Sequence, residues 1–469
     1  GTRRQLAVHF LGETALVTLL TFVAALGAAE VAVQYLRPLL GYNLELNLYS
    51  NGLLALVLAA LFIATTLAAG LYPALYMSGF NPIEAIRNKI GTSYGEGLTL
   101  RRTLVVLQFA IAQLLIISTI VISSQMEYFR TADMGFDKEA VVEVDIPVRD
   151  ASKLEVFKSR LEGHSAIVSA AYSNTGTAHG NIWGGNYEVM VGDSLREGDA
   201  QIKFVEPEFL DTYGVELLAG TNIVRSDTVT QYLVNEEFAR ETGFGNRYAD
   251  LIGRRVEMWG MEAPIGGVVE DFNTNSLHRE IQPVLLASRI QYQLAGIKIA
   301  AGRSQEALDV IREAYEAAFP DYVFDYIFLD KRIENFYKKE RQMAQVMDIF
   351  TVIAILIGCL GLFGLVSYMA ATRRKEVSIR KVLGATLSDI LLLFSKEFFL
   401  LVGLSFLLAA PLAWLAMSLW LSDFAYRIEL GPGLFALAFA ATLAIAVATV
   451  GYKSLRAASV NPVENLNSE

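Results

Sequence analysis

The residues that could do chemistry do not form a catalytic pattern. The four histidines are scattered, and no two have the spacing of metal ligands: His9, His164, His179 and His278. Asp271 could meet His278 in a folded loop, although such a chance approach is seldom a catalytic or metal-binding pair. Neither a phosphate-binding loop nor a dinucleotide fingerprint occurs. We therefore predict no catalytic, cofactor-binding or metal-binding residue in this sequence, and expect it not to be an enzyme.

One stretch, residues 371–401, combines basic and apolar side chains at helical spacing. One face is apolar, with Ile379, Leu383, Leu387, Ile390, Leu391 and Phe394. The other positions are mostly charged, with Arg373, Arg374, Lys375, Glu376, Arg380, Lys381, Ser388 and Asp389. A basic amphipathic helix between apolar segments is typical of a membrane surface. It could be an anchor on anionic lipid, or a lever that a cytoplasmic partner pushes.

The composition indicates a protein that is partly embedded in a membrane. The 469 residues are 53% hydrophobic and 19% charged, which is too apolar for an ordinary soluble protein and too charged for a wholly embedded one. Most acidic residues lie between 133 and 340, and no basic surface of domain size exists for nucleic acid. The single cysteine, Cys359, excludes a disulfide within the chain.

Six apolar runs are long enough to cross a bilayer as helices, which takes roughly 20 residues. They cover residues 13–36, 53–72, 103–123, 348–370, 397–419 and 434–452. Most basic residues of the short connections fall on one side, whereas the opposite short loops hold Arg37 and Arg427. By the positive-inside rule both ends of the chain lie in the cytoplasm, and residues 126–347 lie outside.

Residues 126–347 alternate between strand and helix patterns. Strands are predicted at 140–148, 167–172, 201–205, 232–234, 295–300 and 322–329, and helices at 152–162, after Pro207, at 235–242, 304–319 and 331–347. Trp183, Gly184, Gly185 and Met190 suggest a loop with an exposed aromatic side chain, which is more often a packing plug than a ligand platform. The predicted fold class is a multi-pass α-helical membrane protein with six transmembrane helices and one large α+β extracytoplasmic domain.

Polar and small residues inside the spans read as packing features. Gln108 and Gln113 are predicted to form hydrogen bonds between helices, and Gly358, Gly361 and Gly364 to allow close helix packing.

Two parts of the membrane region repeat each other. Thr2, Leu6, Phe10, Glu13 and Leu16 match Thr386, Ile390, Phe394, Glu397 and Leu400 at a constant offset. Residues 72–86 match residues 452–466, with Asn-Pro-aliphatic-Glu after an apolar helix in both. Two matches in the same order indicate a duplication, which is common in transporters.

The string Arg-Arg-Lys-Glu-Val-Ser-Ile-Arg-Lys-Val-Leu-Gly-Ala at 373–385 resembles the FtsX-type, MacB-like ABC transporter permeases. Residues 207–220, 234–239 and 267–273 resemble the MacB-like periplasmic core domain. The resemblance divides the chain into part of a first FtsX-like repeat (1–90), a linker and helix (91–125), the core domain (126–347) and a second repeat (348–469). It also implies an N-terminally truncated member that starts within its first coupling helix.

The resemblance implies a permease of the inner membrane without a cofactor, driven by a separate cytoplasmic ABC ATPase. The expected coupling residues are Arg374, Lys375, Glu376, Arg380, Lys381, Gly384 and Ala385. The other partners would be the bilayer, a second or related permease copy, a periplasmic adaptor and an outer-membrane channel. The function implied is export of a peptide, drug or lipoprotein; the alternative is a non-transporting scaffold that regulates envelope enzymes.

The charge asymmetry makes a testable prediction about topology. Single cysteines introduced by Ser194→Cys and Ser388→Cys in a Cys359→Ser background should differ in their reaction with an impermeant thiol reagent. Position 194 should react in intact cells and position 388 only after permeabilisation, because only the first lies outside. The reverse labelling pattern would invert the topology.

Overall fold

The computed structural model describes residues 3–41, 51–78, 94–180, 182–372, 380, 383 and 387–458. They fall into two compact units. The membrane unit comprises the described parts of Gly1–Thr119, Gln342–Ala413 and Pro432–Glu469. The outer unit comprises the described parts of Ile120–Arg341 and Trp414–Gly431.

The helices of the described residues, in chain order, are α1 (Arg3–Leu40), α2 (Gly52–Ser78), α3 (Tyr94–Thr131), α4 (Ala151–Leu161), α5 (Phe209–Tyr213), α6 (Glu236–Glu241), α7 (Ser304–Ala318), α8 (Leu329–Phe336), α9 (Lys338–Thr372), α10 (Leu387–Leu421) and α11 (Pro432–Ala458). Six of these, α1, α2, α3, α9, α10 and α11, contain apolar stretches long enough to cross a membrane. This confirms the six predicted spans.

The strands of the described residues are β1 (Val141–Asp145), β2 (Ile167–Ser173), β3 (Gly184–Val191), β4 (Ser194–Phe204), β5 (Leu217–Gly220), β6 (Tyr232–Asn235), β7 (Arg255–Met258), β8 (Met261–Val269), β9 (Val284–Ala287), β10 (Leu294–Ile299) and β11 (Tyr326–Phe328). All of them belong to the outer unit. With the six long helices they confirm the predicted fold class.

In the membrane unit, α3, α9, α10 and α11 share one apolar core. Glycines on α9 set how closely it approaches α3. A Cβ at Gly358 would lie 3.5 Å from the Phe109 ring, and a Cβ at Gly361 would overlap the carboxamide oxygen of Gln108. The packing role predicted for these two glycines is confirmed, whereas a Cβ at Gly364 would meet no atom within 4 Å.

Polar side chains also join these helices. The Gln113 amide on α3 donates to the carbonyl of Val402 on α10 over 3.3 Å, which confirms its predicted role. The hydroxyls of Thr119 and Thr351 lie 2.9 Å apart and join α3 to α9. The prediction for Gln108 is wrong for its carbonyl oxygen, which is buried without a hydrogen bond in the described structure. The space left by Gly361 accommodates that oxygen by packing alone.

The first half of the outer unit is a four-stranded antiparallel sheet with the order β11-β1-β10-β2. Helix α4 connects β1 to β2, and α7 connects β10 to β11, so the chain forms two βαβ units in the ferredoxin-like arrangement. Apolar residues of α4, such as Phe157, and of α7, such as Ile311, share a buried core with the sheet.

The second half is a closed barrel inserted between β2 and β10. The second sheet has the order β5-β8-β6-β9-β4-β3-β7, and β7 also pairs with β8. Six strands therefore form a ring, and β5 extends from β8. A glycine allows β5 to lie close to β8. Gly220 has a φ of +82°, and a Cβ there would overlap the carbonyl oxygen of Gly266. The barrel has an apolar core of its own.

Two local predictions in this unit are wrong. Residues 184–190, expected to form a loop, belong to strand β3, whereas the Trp183 ring packs as the sequence favours, with its centroid 6.4 Å from that of Phe204 and 6.3 Å from that of Trp259. The continuous helix expected at 331–347 is interrupted at Tyr337, between α8 and α9. Tyr337 is buried, and its hydroxyl accepts a hydrogen bond from the backbone of Leu277, which favours packing of its ring over continuation of α8.

Charged side chains are buried where β1, β4 and α8 meet. Glu143 forms an ion pair with Arg332 and accepts a hydrogen bond from Tyr213 over 3.1 Å. Lys203 donates to the hydroxyl of Thr175 over 3.1 Å and to the carbonyl of Gly176 over 2.6 Å. Burial raises the pKa of Glu143, against the effect of Arg332. Burial lowers the pKa of Lys203 to about 7, against the effect of Glu143.

The Lys203 pKa predicts a pH-dependent stability. Between pH 7 and pH 9 the unfolded chain binds the lysine proton and the folded chain does not, so stability should rise with pH, by at most about 1.4 kcal/mol per pH unit. Thermal unfolding of the full chain in detergent, followed by tryptophan fluorescence, measures this. The melting temperature of the wild type relative to Lys203→Met should increase over that range. Lys331→Met, which removes an exposed lysine, should show no such trend.

Candidate functional site

One of the seven predicted coupling residues, Arg380, lies within the described residues, where it is helical and exposed. The other six lie outside the described residues: Arg374, Lys375, Glu376, Lys381, Gly384 and Ala385. Their role therefore stays a prediction. The residues between α9 and α10, 373–386, are called the coupling segment below.

The helices on either side of the coupling segment are tied to α3 by two adjacent arginines. The Arg101 guanidinium lies 4.0 Å from the ring centroid of Tyr368, one turn before the end of α9. Arg102 forms an ion pair with Glu397 of α10, whose side chain is 17% exposed. Ion pairs are worth more where water is scarce, so these contacts hold α9 and α10 against α3 close to the coupling segment.

A second polar cluster, the outer joint, lies within the outer unit. It joins residues 276–278 to residues 424–428 between α10 and α11, and to parts of α3 and α9. The backbone N–H of Ala425 donates to the carbonyl of His278, and that of Tyr426 to the carbonyl of Leu277, both over 3.2 Å. These two bonds connect the loop after α10 directly to the main chain that follows strand β8.

The buried Gln125 side chain of α3 completes this attachment. Its amide donates to the carbonyl of Tyr426 over 2.9 Å, and its oxygen accepts from the backbone N–H of Ile428 over 2.8 Å. The Tyr337 hydroxyl, at the start of α9, accepts from the backbone N–H of Leu277 over 2.8 Å. Each main-chain segment in the joint is thus bound by at least one buried side chain.

Aromatic rings fill the centre of the outer joint. The Phe129 and Tyr337 rings stack with centroids 4.3 Å apart, and the Phe424 ring lies 5.3 Å from Phe129. His278 lies 4.6 Å from Phe424, and its ring nitrogens contact the Ser276 hydroxyl at 3.0 Å and the Glu340 carboxylate at 3.3 Å. Contacts between aromatic rings have preferred geometries and stabilise beyond the area they bury, so these rings favour one arrangement of the outer joint.

The structure does not bring Asp271 to His278. The Asp271 carboxylate instead accepts hydrogen bonds from the Asn235 side chain over 2.7 Å and from the Glu237 backbone over 2.8 Å, and pairs with Arg240. It therefore holds the start of α6, where a carboxylate is favoured. Within the described ranges, no three His, Cys, Asp or Glu side chains are grouped to hold a metal ion.

The sequence reasoning missed the outer joint. The predicted spans 103–123 and 397–419 place Gln125 just beyond one span and Phe424 in a short loop, and span length assigns neither residue a contact. The sequence does contain a signal for this cluster. Tryptophan and tyrosine are enriched where helices leave the membrane, and a glutamine at that depth usually forms a hydrogen bond with another segment. Which segment would supply the partner was not visible, because residues 277 and 426 are far apart in the sequence.

Comparison with known proteins supplies the family. The sequence model described as the FtsX-like permease C-terminal domain matches residues 2–82 and again residues 349–462. The two matches fall on the two segments that the sequence pattern relates as a duplication.

Curated relatives agree with this match. The chain is 24% identical over 337 residues to the macrolide export ATP-binding/permease protein MacB of Escherichia coli, covering 67% of this chain and 51% of the relative. It is 24% identical over 267 residues to an uncharacterised ABC transporter permease of Methanocaldococcus jannaschii, covering 50% and 63%. The chain thus spans about half the length of the MacB protein that it matches.

Two solved structures similar to this chain are single domains of bacterial proteins. The periplasmic region of MacB from Actinobacillus actinomycetemcomitans matches with a TM-score of 0.30 and 14% identity, over 43% of this chain and 94% of that one. A domain of a permease protein from Porphyromonas gingivalis matches with a TM-score of 0.29 and 19% identity, over 41% and 90%.

The family follows from the membrane unit, where the match covers both halves of the duplication. Six apolar helices and the excess of basic residues on one side make the chain a multi-pass inner-membrane protein with its outer unit in the periplasm. Both halves of the duplication match the FtsX-like permease family, and the chain is similar to ABC-type permeases of the MacB kind.

Proposed function

We propose that this chain is the permease subunit of an ABC-type exporter and passes ATP-driven motion from a cytoplasmic ATPase to its periplasmic unit. The observation that carries the proposal is the outer joint. There, the loop that follows α10 is hydrogen-bonded to main chain of the periplasmic fold at Leu277 and His278. A displacement of α10 along its axis would pull directly on that main chain.

The coupling segment is the natural origin of such a displacement. It leads directly into α10, which runs as one helix from Leu387 to Leu421. A helix transmits axial movement because its backbone hydrogen bonds resist extension. Leu421 is followed within a few residues by Ala425 and Tyr426, whose N–H groups bond to the periplasmic main chain. In this proposal, input and output lie at the two ends of one helix.

Contacts to α3 would keep the movement from being lost in sliding. The Arg102–Glu397 ion pair lies at one end, and the Ser405 hydroxyl donates to the carbonyl of Val106 over 2.9 Å further along α10. Both bind α10 to α3 through buried or half-buried groups. In this proposal α3 and α10 move together, and α9 follows through the contact between Arg101 and Tyr368.

The proposed partners follow from the family. The Escherichia coli relative is named an ATP-binding/permease protein, which places both activities in one chain. Here we propose an ATPase that contacts the coupling segment and a second permease, identical or related, beside this one. A periplasmic adaptor and an outer-membrane channel are the further partners that export would need. The proposed cargo is a peptide, a drug or a lipoprotein.

A substitution in the coupling segment tests whether this segment is a lever or a lipid anchor. We expect Gly384→Leu to uncouple ATP hydrolysis from export, because the bulky side chain would block close approach of the partner. Membrane insertion should be unchanged, because the flanking spans keep their apolar length. ATPase rate, partner pull-down and export, measured in detergent and in liposomes, test this.

The charge reversals Arg380→Glu and Lys381→Glu complete that experiment. They should weaken association with the ATPase or its stimulation, because attractive contacts become repulsive. A lipid anchor would respond to the charge reversals and be nearly indifferent to Gly384→Leu. If Gly384→Leu binds the ATPase, stimulates it and exports cargo normally, only the lipid-anchor interpretation would remain. Nucleotide-driven motion without any exported cargo would point to the scaffold role.

The outer joint makes a second prediction. The double variant Gln125→Ala/Tyr337→Phe removes three hydrogen bonds that hold residues 277, 426 and 428. We expect the nucleotide-dependent fluorescence change of a probe at Ser194→Cys, in a Cys359→Ser background, to fall roughly fivefold or more, on the basis of about 1 kcal/mol per bond. ATPase binding should persist, because the coupling segment is untouched.

The matched control is Gln305→Ala, which removes an exposed glutamine of α7 whose amide donates to Asp309. Its fluorescence change should equal that of the wild type. An undiminished change in the double variant would mean that the outer joint does not carry the motion.

A further inference from the structure

Glu13 is a carboxylate in an unusual place. It lies on α1 within the membrane-spanning stretch Ala7–Leu39, and it is exposed. Among the residues that the structure describes, no ion pair or hydrogen bond involves its side chain. A carboxylate inside a span is costly without a partner, and such residues usually pair with another protein group. This position therefore calls for a cationic partner.

The internal repeat supplies a template for that partner. At the constant offset of the duplication, Glu13 corresponds to Glu397 on α10, which pairs with Arg102 of α3. Thr21 corresponds to Ser405, whose hydroxyl donates to the carbonyl of Val106 on α3. The positions at which α10 makes polar contact with α3 are thus occupied on α1 by a carboxylate and a hydroxyl of the same kind.

These equivalent positions differ in their surroundings. Glu397 is largely buried and Ser405 is fully buried, whereas Glu13 and Thr21 are exposed. Among the described residues, the Thr21 hydroxyl donates to the carbonyl of Val17 on its own helix, over 2.8 Å. Ala409 is 1% exposed, whereas its equivalent Ala25 is exposed.

The side of α1 roughly opposite Glu13 packs against α2. A Cβ at Gly70 of α2 would lie 3.0 Å from the Leu11 side chain. Phe22 and Phe62 make an edge-to-face contact with centroids 5.8 Å apart. Glu13, Thr21 and Ala25 are all exposed, and at 3.6 residues per turn Thr21 lies about 80° and Ala25 about 120° around the helix from Glu13, so the three share about a third of its circumference.

We propose that this face of α1 is the docking surface for a transmembrane helix of the α3 type that carries an arginine level with Glu13. The arginine would pair with the carboxylate as Arg102 pairs with Glu397. The α3 of a second copy does not fit the requirement, because its arginine is engaged by its own Glu397. Anionic lipid does not fit either, because its headgroup would repel Glu13.

The probe is a synthetic transmembrane peptide with the sequence of residues 100–125, which contains Arg102. It carries one dye, and the full chain in neutral-lipid liposomes carries a second dye at Val8→Cys in a Cys359→Ser background. Energy transfer then measures binding. Val8 lies on a different side of α1 from Glu13, so the label does not cover the proposed surface.

We expect Glu13→Gln to weaken peptide binding at least about fivefold, a typical effect of one polar contact between membrane helices. A peptide with Arg102→Gln should bind the unchanged chain about as weakly. The charge-swapped combination, Glu13→Arg in the chain with Arg102→Glu in the peptide, should restore the affinity. Glu30→Gln, a carboxylate change further along the same helix, is the matched control and should leave binding unchanged.

Equal affinities for the unchanged chain and Glu13→Gln would overturn the proposal, and so would a charge swap that fails to restore binding. Self-association of the chain without peptide, abolished by Glu13→Gln, would make a second copy the occupant and also overturn it. The experiment contains no ATPase and no nucleotide. Its outcome is therefore independent of whether the chain transmits ATP-driven motion.

Discussion

Water is scarce between membrane helices, so each polar group there must find its partner in the protein, and this constraint decides which helices pack together. Arg102 and Glu397, Gln113 and the Val402 carbonyl, and Ser405 and the Val106 carbonyl all join α3 to α10. Apolar packing alone would leave many rotations of these helices equivalent, because lipid is as apolar as leucine. The polar pairs select one of them.

The same requirement operates at the periplasmic ends of the helices. Gln125 satisfies both of its polar ends on the main chain of residues 426 and 428, and the carbonyls of Leu277 and His278 accept from the loop after α10. Buried main chain must be hydrogen-bonded, so a loop enclosed between helices and a domain is bound to one or the other. The outer joint meets this need, and in the proposed mechanism the same loop is the mechanical link.

The periplasmic unit has two cores, and its buried charges lie between their elements. Glu143 comes from the ferredoxin-like sheet, Lys203 from the barrel and Arg332 from the helix that leads to α9. A buried ion pair adds little to stability compared with an apolar contact of equal size, but removing one partner is costly. Such a cluster therefore specifies the relative orientation of the sheet, the barrel and α8, and adds little to the free energy of unfolding.

The sequence by itself determined the six spans, their orientation, the duplication and the family, because each is written in a local pattern: runs of apolar residues, the placement of arginine and lysine, and the string at 373–385. It also placed most strands and helices of the sheet that holds β1 and β10, whose alternation is regular. Only the tertiary structure decided that β3, β5, β7, β8 and β9 exist, since their patterns are interrupted by glycine and polar residues and their pairing closes a barrel between distant segments. It alone joined Gln125 to residues 426 and 428, and Leu277 to Tyr337. Contacts of that kind depend on the path of the whole chain, which no local pattern contains.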